Sequence, residues 1–240
     1  MARPFCILPR WLPLVVAVAT GFSFGLPADA LNVQRLEPAE VETLTGILKT
    51  LEPVLAVKKQ DGTAILLAWD ALYEPLTAGQ RAFLDQFRAL KAEALGATSH
   101  HFGEAPAEWD IVPVGPQHIL KGGLPTPLDP QYLPRNVLEA YQLYLFMFYL
   151  PKHGYSITET NRFVALPGYS EHGYPPRQAI DFINAEGING EDHPEEFEAL
   201  PEYGWLQQHA NEYGFFLSYP RNNATNTSFE PWHWHYQGAR

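Results

Sequence analysis

Two rhythms of apolar and polar residues run along this chain, and they divide it into a helical first half and a mixed second half. Pro38 opens an amphipathic stretch, AEVETLTGILKTL, at helical spacing, and Pro53 is expected to close it. VLAVKKQ and TAILLAW then flank Asp61-Gly62, a dipeptide suited to the two-residue turn of a β-hairpin. Thr77 is the expected N-cap of a helix over 78–95, with Phe83, Phe87, Leu90 and Leu95 near helical spacing and Gly96 as its stop. Residues 113–134 are rich in Pro and Gly and read as a linker or wrapping loop. The next run, 135–150, RNVLEAYQLYLFMFYL, is apolar nearly all round, which predicts a central buried helix with Met147 and the aromatics in the core. Ser156 and Glu159 fit a capping box for a short helix that delivers Arg162 and Phe163 to the following loop.

Beyond that loop the period changes. QAIDFIN, 178–184, alternates as a strand with Ala179, Asp181 and Ile183 on one face. Trp205, Leu206, Ala210 and Tyr213 return to helical spacing until Gly214, and FFLSYP alternates again. In FEPWHWHY, Pro231 argues against a helix, so Glu230-Pro231 reads as a turn into a strand with His233 and His235 on one face and Trp232, Trp234 and Tyr236 on the other. The expected fold class is α+β: a small antiparallel sheet packed by helices, preceded by an extra helix and hairpin region.

The first 30 residues stand apart. Arg3 and Arg10 form a charged start, an apolar stretch interrupted by Pro13, Gly21 and Gly25 follows, and Ala28-Asp29-Ala30 has the small-x-small form of a cleavage site. These features predict an export signal rather than a membrane anchor, hence a periplasmic or extracellular protein without a stable membrane span after cleavage. Cys6 would leave with the signal, which removes any thiol nucleophile or thiolate ligand. The whole chain carries a net charge of −11, and losing Arg3, Arg10 and Asp29 makes the remainder one unit more negative. Nucleic acid is excluded as a partner on that balance.

Chemistry concentrates in two places. An ionised Asp181 inside an apolar alternation costs several kcal/mol unless it is paired or binds a cation. His172, upstream in Ser170-Glu171-His172, is the candidate to share that cation, and His233 the third. Two imidazoles and one carboxylate leave a fourth position open for water, the arrangement of a catalytic zinc. Glu230, three residues before His233, is placed to act as base without being a ligand. Taken singly, each has a plainer reading: satisfied core histidines, a strand-end cap and a solvated turn carboxylate. His100-His101 are adjacent and read as solvent-exposed; His235 reads as an exposed strand histidine, with a donor behind the ligands or an alternative ligand as its other readings. The Asn223 and Asn226 glycosylation patterns read as coincidental.

Three blocks together, RFVALPGYSEHG with AIDF, WLQQHANEYGFFLSYP, and EPWHWHYQG, resemble the VanY-type D-alanyl-D-alanine carboxypeptidases, zinc peptidases of bacterial cell-wall metabolism. The resemblance covers roughly the last half of the chain. It implies Zn2+ held by His172, Asp181 and His233, Glu230 as general base, and a peptidoglycan peptide as substrate. It also implies an arginine for the substrate carboxylate, in a G-Y-R-S-like segment that is not intact here. Arg135 is the nearest counterpart and Arg162 the second choice, while Ser170 is placed to bond the peptide or orient the loop. Two departures stand out. Tyr174-Pro175-Pro176 lengthens the spacing from His172 to Asp181, and His235 stands where the family commonly has arginine. The expected organisation is a signal over 1–30, a helix and hairpin region of unknown role over 31–115, and a VanY-like zinc peptidase domain over 116–240. Two alternatives share the scaffold: a metal- or wall-binding module without turnover, and a peptidoglycan endopeptidase.

Overall fold

The computed structural model describes residues 31–60, 63–96, 112–113, 118–121, 124–127, 132–133, 139–173 and 177–237. The expected export signal, the Asp61-Gly62 turn, His100-His101, Arg135 and Tyr174-Pro175-Pro176 lie outside them. Seven α-helices are found among the described residues: α1 Pro38–Gln60, α2 Trp69–Tyr73, α3 Ala78–Arg88, α4 Glu139–Tyr149, α5 Ile157–Thr160, α6 Pro194–Glu198 and α7 Pro201–His209. The strands are β1 Val112–Pro113, β2 His118–Lys121, β3 Leu124–Pro127, β4 Tyr132–Leu133, β5 Ala179–Asp181, β6 Phe215–Leu217 and β7 His233–Tyr236.

The first half departs from its sequence pattern in three places. Pro53 does not close α1, which runs through it and buries Leu44, Ile47, Leu51 and Leu55. A mid-helix proline costs roughly 3 kcal/mol, whereas burying Leu51 and Leu55 on its two sides returns roughly 1.5–3 kcal/mol each, so continuing the stripe wins. Among the described residues, neither expected hairpin strand is formed. VLAVKKQ is the end of α1, and TAILLAW becomes a 3-10 turn at Ala64–Leu66 leading into α2, with Leu67 and Leu72 fully buried. An isolated two-stranded hairpin is marginal in water, and a helical path buries these leucines instead. Thr77 caps α3 in a reciprocal capping box with Gln80 as expected, but α3 stops at Arg88, and a separate 3-10 turn over Ala92–Leu95 carries Ala92 and Leu95 into the core before Gly96.

Within the stretch read as a linker, the described residues form two antiparallel ribbons, β1 with β4 and β2 with β3. Pro125 and Pro127 are tolerated because both strands of such a ribbon are edges.

Helix α4 is the buried centre expected from its sequence, with Leu143, Phe146 and Met147 fully enclosed. It shares one core with Leu44, Ile47, Leu51 and Leu55 of α1, Leu72 of α2 and Phe83, Leu84 and Phe87 of α3, and this core extends to Leu166 and Tyr169 at the mouth of the histidine loop. A second, smaller core joins Phe197, Tyr203, Leu206 and Ala210 to Trp234 of β7. It backs a three-stranded antiparallel sheet of order β5-β7-β6. Gly214, at φ 84°, turns the chain from the end of the α7 region into β6.

Candidate metal centre

Sheet register builds most of the site. Strands β5 and β7 pair Ala179 with His235 and Asp181 with His233, so Asp181 and His233 stand directly opposite each other on one face. His172 arrives from a 3-10 turn, Glu171–Gly173, and its Nδ1 is 3.1 Å from the Ala179 carbonyl oxygen. That bond ties the turn to β5, and the imidazole stays beside the sheet despite the lengthened spacing to Asp181. Helix α4 anchors the approach to the turn: Gln142 Nε2 donates to the Ala165 carbonyl at 2.6 Å, and the buried Glu139 carboxylate accepts from the Gly168 amide. Ser156 caps α5 by accepting from the Glu159 amide, while the Glu159 carboxylate pairs with Arg162.

His172, Asp181 and His233 each bring a donor atom within 4.8 Å of the other two, and no other metal-capable group of three was found among the described residues. His172 Nε2 lies 3.4 Å from Asp181 Oδ2, and His233 Nδ1 lies 3.1 Å from Asp181 Oδ1. The two rings approach edge to face at 4.6 Å between centroids. Ligand atoms placed tetrahedrally at about 2.0–2.1 Å from zinc stand about 3.3 Å apart, close to both carboxylate distances. The outward nitrogens are already committed, His172 Nδ1 to the Ala179 carbonyl and His233 Nε2 to Glu171 Oε2 at 3.2 Å. Once deprotonated, a ring that donates outward from one nitrogen offers the lone pair of the other inward, so the donor set fits a cation of this kind.

Electrostatics follow from this crowding. Burial pushes the Asp181 carboxyl up, but the imidazoles of His172 and His233 outweigh it and hold the group below the usual carboxylate range. The side chain as a whole is 48% exposed on the edge strand β5, rather than enclosed as its apolar neighbours suggested, while its carboxylate end is set between the two imidazoles. Burial opposes charge on His233, yet hydrogen bonds to Asp181 and Glu171 push it up to about 10 in the metal-free chain. Burial raises the Glu230 carboxyl to about 8, with the Asp181 and Glu171 charges adding to it against the pull of His233. Glu230 is buried rather than solvated, and its Oε2 is 3.6 Å from His233 Nδ1.

These residues open onto a cleft of about 680 Å3 that also takes in Ser170, Tyr169, Tyr219 and Phe229. Arg162 does not line it, since its guanidinium is held by both Glu159 oxygens at 3.1 and 3.2 Å, although Asn161 and Phe163 on either side do. Lys152, His153 and Arg221 are cleft-lining groups that sequence reasoning passed over. All three are engaged: Lys152 faces Asp192 at 3.8 Å, His153 stacks on the Phe163 ring at 4.4 Å between centroids, and Arg221 pairs with Glu198 while covering the Phe229 ring. Two further residues, Glu171 and Arg177, were missed. Glu171 is buried between His233 and Arg177. His235 is also buried, not exposed, with Nδ1 2.7 Å from Ser218 Oγ. Their signal was present in the sequence, because Glu171 neighbours His172 and His235 shares a face with His233.

Comparison with known proteins places this geometry in context. The family described as VanY, D-alanyl-D-alanine carboxypeptidase, matches residues 138–239. A D-alanyl-D-alanine carboxypeptidase of Enterococcus faecalis is 37% identical over 82 residues, 33% of this chain and 27% of that protein. YodJ of Bacillus subtilis, which carries the name of a carboxypeptidase, is 37% identical over 79 residues, 32% of this chain and 28% of its own length. The matched segment thus spans less than a third of either relative. A crystal structure of a mutant vancomycin-resistance D,D-pentapeptidase VanY, from a VanB-type resistance cassette and in complex with Zn(II), aligns at 27% identity with a TM-score of 0.32, covering 42% of this chain and 56% of that one.

Proposed function

Residues 138–239 belong to the VanY-type D-alanyl-D-alanine carboxypeptidase family, and on that premise we propose that this chain is a zinc-dependent peptidase removing the terminal D-alanine from bacterial cell-wall peptides. The observation that carries the proposal is the convergence of donor atoms from His172, Asp181 and His233, with the Glu230 carboxylate alongside. In this reading those three residues hold the ion. Zinc, when bound, polarises the scissile carbonyl and lowers the pKa of its water from 15.7 to about 7.

The chain's own groups do the rest. Glu230 accepts the proton of the attacking water and returns it to the leaving amine, and a carboxyl raised by burial towards neutral pH suits a group that must both take and give. Ser170, buried at the cleft, bonds the peptide or steadies the histidine turn. Arg135, just ahead of α4, is the proposed partner of the substrate carboxylate; Arg162, the second choice, is already paired with Glu159. The apolar, Arg-flanked first 30 residues support export to the compartment where such peptides occur. No helix among the described residues is long and apolar enough to cross a membrane.

The test is hydrolysis of a muropeptide ending in D-Ala-D-Ala. Release of D-alanine that stops on chelation and returns with zinc supports the proposal. Stoichiometric zinc without turnover on any muropeptide supports a binding module instead, and cleavage confined to cross-linked dimers supports an endopeptidase.

A further inference from the structure

Behind the proposed ligands lies a second layer that the proposed chemistry leaves unused. Glu171 is only 5% exposed, and a buried carboxylate costs several kcal/mol unless its oxygens are matched. Both are. Oε2 accepts from His233 Nε2 at 3.2 Å, and Oε1 lies 2.9 Å from Arg177 Nε. The Arg177 Nε–H points off the axis to that oxygen, so the contact is a charge pairing rather than an aligned hydrogen bond. Arg177 also sets Nη2 3.4 Å from His235 Nδ1, and the same nitrogen lies 2.7 Å from the Ser218 hydroxyl. His235 and His233 stand on one face of β7, and Arg177 lies two residues before Ala179, the β5 partner of His235. Arg177 therefore reaches over the sheet from the residues that follow the histidine turn and meets the carboxylate that the turn supplies.

We infer that Arg177 and Glu171 form a positioning pair for His233: Arg177 fixes the Glu171 carboxylate, and Glu171 holds the outward nitrogen of His233 so that Nδ1 faces the cation site. This rests on the zinc reading above. Neither residue touches the ion position. They act through His233, and outer partners of this sort commonly change metal affinity by about 10–100-fold. Without Arg177, the Glu171 carboxylate would keep His233 and the Ser218 hydroxyl as hydrogen-bond partners but lose the charge that fixes its other oxygen. Without the Glu171 charge, an amide that can present either its oxygen or its N–H would no longer select the orientation of the ring.

Zinc affinity of the full chain, measured by competition with a chromophoric chelator, tests the pair without reference to hydrolysis. Glu171→Gln and Arg177→Ala are each expected to weaken zinc binding about tenfold or more. Arg177→Lys should recover part of the loss, because it returns a charge without the planar fork. The double variant should bind no more weakly than Glu171→Gln alone, since Arg177 acts only through that carboxylate. The imidazole 15N shifts of His233 should report mixed tautomers in Glu171→Gln, a signature that general destabilisation does not produce. Unchanged affinity in both single variants, or losses that multiply in the double variant, would overturn the pair while leaving the zinc reading intact. A wild-type chain that takes up no zinc would instead overturn the zinc reading, and this inference with it.

Discussion

Glu230 Oε2 stands 3.6 Å from His233 Nδ1 although no helix joins them, because the turn at Pro231 and the first residue of β7 bring positions 230 and 233 together. The His233 amide donates to the Glu230 carbonyl at 3.1 Å, which closes that turn. The carboxylate thus lies beside the proposed ligands without being one of them. Glu230→Gln keeps size and polarity but cannot accept the proton. Turnover should fall by about 10²–10⁴-fold, with zinc stoichiometry by atomic emission unchanged. Loss of zinc in this variant would make Glu230 a ligand and remove it as the base.

Zinc uptake should release protons. His233 is pushed up to about 10 in the metal-free chain, so near neutral pH its Nδ1 carries a proton that the ion must displace. The sign follows directly. Lowering the pH stabilises the protonated, metal-free form and weakens zinc binding; raising it towards the His233 pKa removes the competitor. Apparent affinity should therefore rise about tenfold per pH unit for each proton displaced, from about pH 7 to 9. Calorimetry in buffers of different ionisation enthalpy should count at least one proton released. A pH-independent affinity over that window would mean that Nδ1 is not the ligand atom.

Removing a proposed ligand should separate the centre from the fold. Asp181 is half exposed on an edge strand, so Asp181→Ala should remain folded by circular dichroism while zinc affinity falls by at least 100-fold and turnover disappears. Wild-type zinc binding in that variant would exclude the three-residue site.

Much of this centre was legible because strand alternation is a two-residue code. Once His233 and Asp181 are placed on strands, their side chains have only two possible faces, and pairing fixes the rest. Glu171, Arg177 and His235 were harder to read, since a carboxylate beside a histidine carries no mark of whether it is buried. In the first half, Pro53 is a strong local signal that lost to non-local burial of Leu51 and Leu55. Local punctuation cannot reveal which surface a leucine will meet. Helix α4 hid two functional supports for the same reason, because Glu139 and Gln142 look like interruptions of an apolar run and are in fact the groups that hold the histidine loop.

That support can be measured. Gln142→Leu keeps the volume of the buried side chain but leaves the Ala165 carbonyl without its 2.6 Å donor. An orphaned buried acceptor costs about 1–3 kcal/mol, and the loss lies three residues from Gly168, on the path to His172. Stability by urea denaturation should fall by that amount, and zinc affinity should fall as well, whereas a purely local packing defect would leave zinc affinity unchanged.

Gly190 offers a sharper contrast between two superficially equal substitutions. Its φ is 77°, and a Cβ there would sit 2.7 Å from Phe197 Cβ and 2.7 Å from Trp232 Cε3. The left-handed backbone costs an L-residue roughly 1–2 kcal/mol, and overpacking against Phe197 Cβ and the Trp232 ring costs roughly 1–3 more. Gly190→Ala should therefore lower the melting temperature by about 4–20 °C, at roughly 2–4 °C per kcal/mol for a chain of this size. Gly204 lies within α7 with nothing within 4 Å of its Cβ position, so Gly204→Ala should stabilise by about 0.5–1 kcal/mol through helix propensity alone. Because Trp232 directly precedes His233, the Gly190 variant should also bind zinc more weakly, while the Gly204 variant should not. Equal melting temperatures for the two would mean that the contact between Gly190 and Trp232 does not brace the strand that carries His233.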